Sequence, residues 1–173
     1  MLRLPTFEYH DPHNLDDAIR FLAQRTAAKE SVKVLAGGTD LLINMKHELE
    51  TPAHVVSLRR LGLSGIRRSA GQMIIGATTP LDEVARHPEV REFFPALADA
   101  CAKIAGPQIR RQGTLGGNLC LDTRCIFLNQ SFFWRSALGF CLKKEGDACH
   151  VVDGGRNCVA AMYYLTGGNY LRG

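Results

Sequence analysis

At 173 residues, 46% hydrophobic and 22% charged, the chain is long enough to bury a core and too short for more than one compact domain or two small ones. Lys and Arg number 21 against 17 Asp and Glu, and the excess is scattered apart from Arg59-Arg60, Arg67-Arg68 and Arg110-Arg111, which argues against the concentrated basic stripe of a nucleic-acid binder. No apolar run approaches the roughly 20 residues of a membrane span, and the amino-terminal MLRLPTFEYHDPHNLDD lacks an apolar signal-peptide core. The expectation is a soluble, cytoplasmic protein with neither nucleic acid nor membrane as a partner.

In chain order, Phe7 to His10 reads as extended, and Asn14 caps a helix whose apolar positions Leu15, Ala18, Ile19 and Leu22 follow the helical period. Ser31 to Leu35 is a β-branched strand entering the loop Ala36-Gly37-Gly38, Thr39 to Lys46 is helical, and His54 to Leu58 is another strand. Strands joined by helices in this way make a small parallel sheet. Gly65 to Arg68 and Gln72 to Gly76 form a hairpin turned at Ala70-Gly71. Thr79 then caps a helix with Pro80 at its first position, and a longer helix runs from Pro88 to Ile104 before stopping at Gly106-Pro107. From Leu119 onward the periodicity is lost and Cys, Gly and aromatics accumulate, so something other than a backbone ladder is expected to organise this segment.

Two glycine pairs carry candidate chemistry. VLAGGTD (Val34 to Asp40) lies between a strand and a helix, and GTLGGN (Gly113 to Asn118) repeats the pattern of Thr, paired Gly and a polar side chain. Neither is a dinucleotide fingerprint or a P-loop. One such pair alone makes a tight turn. Two together suggest a diphosphate held between two nests of backbone N–H groups, and a bulky side chain at Gly38 would then block the close approach of backbone to ligand.

Five of the six cysteines fall in the last third of the chain, and in the absence of a secretory signal such clustering points to metal or redox chemistry before disulfides. Cys125, Cys141, Cys149 and Cys158 stand 16, 8 and 9 positions apart, without a CxxC, so zinc-ribbon and ferredoxin spacings both fail. Four thiolates accept either zinc or a [4Fe-4S] cluster, and the spacing does not separate the two. His150 beside Cys149 is a candidate supporting donor. Cys101, within ALADACAKIA, reads as a small buried hydrophobe.

VLAGGTDLLINMK and GTLGGNLC resemble the two flavin-diphosphate loops of the FAD-binding subunits of the xanthine dehydrogenase family of molybdenum enzymes. The aromatic run FFWR, the phrase CLKKEGDACHV and the Cys spacing resemble the branch of that family formed by 4-hydroxybenzoyl-CoA reductase beta subunits. The resemblance runs from about Phe7 to Ala161 and implies an α+β, two-subdomain FAD-binding fold (PCMH-type). A small β-α-β parallel sheet in residues 1–60 would be followed in 61–173 by a mixed or antiparallel sheet with helices, carrying an irregular Cys-rich iron–sulfur loop at about 120–160. It implies FAD contacts from Val32, Lys33, Val34, Leu35, Ala36, Gly37, Gly38 and Thr39, and from Thr114, Leu115, Gly116, Gly117 and Asn118, with further contacts from Ile104 and Ile126. Cys125, Cys141, Cys149 and Cys158 would ligate a [4Fe-4S] cluster, and Cys120 would be a bystander.

The implied role is an electron-transfer subunit without a catalytic acid or base of its own. Electrons from reduced ferredoxin would pass to [2Fe-2S] centres on a small partner and on to a molybdenum cofactor on a large one, where 4-hydroxybenzoyl-CoA is reduced to benzoyl-CoA. The alternatives are the FAD subunit of another molybdenum hydroxylase and a zinc-stabilised nucleotide-binding or assembly module. Relatives of this kind continue further, whereas the closing AMYYLTGGNYLRG does not match the family pattern.

Overall fold

The computed structural model describes residues 3–158 and 160. A three-stranded sheet is built from β1 (Glu8–His10), β2 (Val32–Leu35) and β3 (His54–Ser57), with α1 (Leu15–Ala27) and α2 (Leu41–Lys46) in the connections. All pairs are parallel in the order β1-β3-β2, with Glu8 and Val32 both opposite His54. The central strand β3 is buried at all four positions, as a strand covered on both faces must be. The Asn14 side chain accepts the Asp17 N–H at 2.8 Å, and Asp16 and Asp17 complement the positive end of α1.

The hairpin pairs β4 (Ile66–Ser69) with β5 (Gln72–Ile75) in antiparallel register, Ser69 opposite Gln72. Its two turn residues, Ala70 and Gly71, both have positive φ, at 47° and 76°. That is the mirror-image turn whose twist matches the flanking strands. Four helices follow: α3 (Leu81–Arg86), α4 (Pro88–Phe93), α5 (Pro95–Lys103) and α6 (Pro107–Gln112). They pack with the hairpin around Leu81, Val84, Val90, Ala98, Cys101 and Leu115. Each fully buried aliphatic side chain here contributes about 1.5–3 kcal/mol relative to exposure.

Two expectations for this region are corrected. The helix from Pro88 to Ile104 is two helices, because Pro95 has no N–H to donate and its ring excludes the helical conformation from the residue before it. Phe94 accordingly sits at φ −135°, ψ 56°. Thr79 is not the cap of α3; Pro80 is, and the buried Thr79 hydroxyl donates to Gly65 O at 3.2 Å and accepts from Gly65 N at 2.9 Å, pinning the hairpin to the helices.

Cys101 is fully buried, and burial pushes its thiol up to about 11. It is therefore neutral and inaccessible at pH 8, whereas Cys120 is exposed. Brief iodoacetamide treatment of the native protein, read by peptide mass, should alkylate Cys120 and leave Cys101 unmodified until denaturant is added.

Beyond α6 come α7 (Leu115–Leu119) and α8 (Phe132–Ala137). The Cys-rich segment is therefore not wholly irregular: Ser131 caps α8 by accepting the Trp134 N–H at 3.3 Å. Among the described residues no helix is long and apolar enough to cross a membrane.

Candidate functional site

The two glycine loops lie against each other. A Cβ on Gly37 would stand 1.9 Å from the Gln112 carbonyl oxygen, and one on Gly113 would stand 3.4 Å from Thr39 Oγ1. Only a residue without a side chain lets the end of β2 approach the end of α6 so closely. Gly38 turns the first loop at φ 73°, and its absent Cβ faces the Leu42 and Leu35 side chains. A substitution at Gly38 therefore acts through backbone conformation before it acts on any ligand. Among the described residues the N–H groups of Gly37, Gly38 and Thr39 meet no acceptor. Unpaired backbone donors gathered in a turn form an anion cradle.

The second loop behaves differently, which corrects the expectation of two equivalent nests. Leu115 N donates to Thr79 O at 2.9 Å, Gly116 N to Ala77 O at 2.8 Å, Gly117 N to Thr114 Oγ1 at 3.1 Å and Asn118 N to Thr114 O at 3.0 Å. Thr114 caps α7, so these amides are consumed by the fold. Gly116 is needed because a Cβ there would stand 2.7 Å from Ala77 O. This loop forms a wall beside the first loop's free amides.

The remaining implied flavin contacts scatter. Lys33 pairs with Glu50 at 3.0 Å, Val34 is exposed, and Ile104 packs on the core that contains Leu115. Ile126 is 72% exposed, next to Cys125 in the chain.

Cys125, Cys141, Cys149 and Cys158 line one hollow, together with Phe127, Leu128, Leu142, Val151, Ala160, Lys143 and His150. Positions up to 33 apart in sequence are thus gathered by the fold. Among the described residues no three of these sulfurs lie within 4.8 Å of one another. The Cys141 turn is knotted by Lys144 N to Cys141 O at 2.8 Å and Gly146 N to Cys141 O at 3.1 Å. A Cβ on Gly146 would stand 2.6 Å from Cys141 N, so that turn requires glycine. His150 Nε2 donates to Phe140 O at 2.5 Å, tying the chain back on itself.

Cations that sequence reasoning overlooked join the hollow to its surroundings. Arg124, adjacent to Cys125, is ion-paired with Asp40 of the first glycine loop, whose other oxygen accepts Asn44 Nδ2 at 2.8 Å. Lys143 reaches Asp122 at 2.7 Å, and Lys144 donates to Leu49 O. Arg135 is buried, donates to Glu48 O at 3.1 Å and lies within 5.8 Å of the Phe132 and Phe140 ring centres. No composition rule marks these residues, because each partner is distant in sequence.

Residues 5–129 match the family described as the FAD-binding domain in molybdopterin dehydrogenase. The carbon monoxide dehydrogenase medium chain of Hydrogenophaga pseudoflava is 38% identical over 116 residues, which is 66% of this chain and 39% of that one. The xanthine dehydrogenase FAD-binding subunit of Escherichia coli O157:H7 is 40% identical over 114 residues, 65% of this chain and 38% of that one. Carbon monoxide dehydrogenase from H. pseudoflava superposes with a TM-score of 0.65 at 36% identity, covering 70% of this chain and 42% of that chain. Quinoline 2-oxidoreductase from Pseudomonas putida 86 does so with a TM-score of 0.64 at 31% identity, covering 70% and 41%. The matched part thus spans about two fifths of these relatives. The family match ends at residue 129, ahead of Cys141, Cys149 and Cys158.

Proposed function

The chain belongs to the FAD-binding domain family of the molybdopterin dehydrogenases, and on that premise we propose that it serves as an electron-transfer subunit holding FAD and a [4Fe-4S] cluster. The observation that carries the cluster is the hollow lined by Cys125, Cys141, Cys149 and Cys158. A single tetrahedral zinc, at about 2.3 Å from each sulfur, would draw the sulfurs to about 3.8 Å from one another. Thiolates that line one apolar hollow without closing to that distance suit a cluster, which also accepts four cysteines and whose potential depends on shielding from water. Phe127, Leu128 and Leu142 supply that shielding.

The free amides of Gly37, Gly38 and Thr39 fit the flavin diphosphate, with Thr114 to Asn118 as the facing wall. The Arg124–Asp40 ion pair holds the Cys125 segment to that cradle, so both groups are positioned by one framework. When bound, the two groups supply stepwise redox chemistry between one-electron and two-electron carriers. The protein's part is to bind them, fix their separation and exclude water.

Domain limits of 1–60 and 61–173, with a cluster loop at about 120–160, belong to this reading. So do a cytoplasmic location, a molybdenum-bearing large subunit, a small [2Fe-2S] subunit and ferredoxin as donor. The complex would act as a 4-hydroxybenzoyl-CoA reductase, in which two electrons and two protons remove the phenolic hydroxyl as water. The FAD subunit of another molybdenum hydroxylase fits the matched residues 5–129 equally well, since they stop short of three of the four cysteines.

The test is an anaerobic visible spectrum with iron, acid-labile sulfide, zinc and flavin quantified per chain. Four irons, four sulfides and one FAD are expected. Zinc without iron would replace the cluster reading by that of a zinc-stabilised module.

A further inference from the structure

Away from the flavin loops and the cysteines, the parallel register of the first sheet gathers a second set of ligand atoms. Glu8 and His10 stand two residues apart on β1, hence on one face of the sheet, and Glu8 lies opposite His54 on β3. Glu8 Oε2, His10 Nε2 and His54 Nδ1 converge: His10 to His54 is 3.3 Å, His54 to Glu8 is 3.2 Å and His10 to Glu8 is 3.7 Å. Ligand atoms bound tetrahedrally to zinc at about 2.0–2.1 Å are separated by about 3.3 Å. The triangle is already of that size.

A second observation concerns His54 alone. Its other nitrogen, Nε2, lies 3.1 Å from Glu30 Oε2, and Glu30 is itself fixed by Arg25 at 2.9 Å. With Nε2–H donating to that carboxylate, Nδ1 is left as a lone pair aimed into the triangle. A carboxylate behind a ligating imidazole is the arrangement that orients metal-bound histidines. The His54 side chain is only 8% exposed, and the Phe21 ring closes one side with its centre 3.9 Å from that of His10. Glu8, by contrast, is 71% exposed, so the fourth direction opens to water.

We propose that Glu8, His10 and His54 form a binding site for a divalent cation of the zinc class, with Glu30 as the positioning residue and water as fourth ligand. Two imidazoles and one carboxylate select borderline transition metals over calcium or magnesium. Binding takes the Nε2 lone pair of neutral His10, whose single ring proton then resides on Nδ1; no proton is released from that imidazole and no oxidation state changes. The effect is to staple β1, a three-residue edge strand, to the buried centre of the sheet. The site is independent of both redox groups.

The experiment titrates the purified full chain with zinc by equilibrium dialysis, and with cobalt(II) followed by visible absorption, in parallel with Glu8→Gln, His10→Gln and Glu30→Gln variants. Metal taken up by the cysteines is common to all four proteins, so the difference reports this site alone. Wild type should bind one more equivalent than Glu8→Gln or His10→Gln, and the cobalt difference spectrum should lack sulfur charge-transfer bands. Glu30→Gln should weaken that equivalent about 10- to 100-fold. Zinc should slow amide exchange in β1 of the wild type and leave His10→Gln unchanged. Glu8 is largely exposed, so its variant folds whatever becomes of the others. Equal stoichiometry and affinity in wild type and Glu8→Gln, or a difference spectrum of sulfur ligation only, would overturn the site and leave a hydrogen-bonded histidine pair.

Discussion

Replacing Gly37 by alanine will destabilise the chain by about 3 kcal/mol, at the upper end of the overpacking range, and will empty its flavin site. The new Cβ would lie 1.9 Å from Gln112 O, 2.7 Å from Gln112 C and 3.1 Å from Gly113 Cα, all of them backbone atoms. Flexible side chains can swing away from an added methyl, whereas these atoms end α6 and lead into the loop whose amides bond Ala77 and Thr79. Relief must therefore come from parting the two loops, which disperses the free N–H groups of Gly37, Gly38 and Thr39. The fold as a whole should persist, since its other contacts are untouched and domains of this size are stable by about 5–15 kcal/mol. Gly38→Ala is the informative companion. Its φ of 73° costs about 1–2 kcal/mol for any L side chain, but the nearest atom, Leu42 Cδ1 at 3.1 Å, is mobile, so partial flavin binding should survive. Gly62→Ala, with φ 63° and open space around it, should lose a similar stability and keep its FAD. Urea midpoints and bound flavin per chain measure all three. A Gly37→Ala protein with normal FAD and an unshifted midpoint would mean that the loops are not in contact.

Local signals made much of the fold legible. Asn14 as a cap, the Ala70-Gly71 turn and the alternation of short strands with helices in the first 60 residues all rest on interactions within a few positions, and all are present. The break at Pro95 was hidden because Val90 on α4 and Ala98 and Cys101 on α5 feed one core, so the apolar pattern runs through the interruption. The second glycine pair was misleading for a related reason. GTLGGN has the composition of a nest, but its amides are claimed by Ala77 and Thr79, partners invisible in a window around Gly116. The four cysteines could be named as a set from their spacing and surroundings, while their gathering in one hollow could not, since it depends on the turns at Cys141 and Gly146. His10 and His54 are 44 residues apart and meet only through the register of a parallel sheet. No sequence motif records such a register.

On the proposed two-cofactor reading, Cys141→Ser will remove the iron–sulfur absorption while leaving the flavin in place. Cys141 is buried with Leu49 and Leu128 against Cys125, in a turn that uses both its own N–H and its own carbonyl for backbone bonds. Those bonds are indifferent to the side chain, so the hydroxyl of serine will occupy nearly the position of the thiol. What changes is the chemistry: an alcohol does not ionise near neutral pH and is a hard donor, whereas iron–sulfur clusters are held by soft thiolates. Three of the four thiolates remain, and cluster iron per chain should fall by more than half. Placing a hydroxyl among apolar neighbours should cost about 1–3 kcal/mol in addition, unless it finds a partner. The proposed flavin cradle, the backbone amides at Gly37 to Thr39, is joined to this segment through Arg124 and Asp40, not through Cys141, so FAD content should stay at the wild-type value. Cys120→Ser, at an exposed position outside the hollow, serves as the control and should retain both groups. If Cys141→Ser keeps its full iron and sulfide while Cys120→Ser loses them, the ligand set is wrong. If iron, sulfide and flavin all disappear from Cys141→Ser with the circular dichroism unchanged, then the cluster and the FAD are not independently held, and the two-site description of this chain fails.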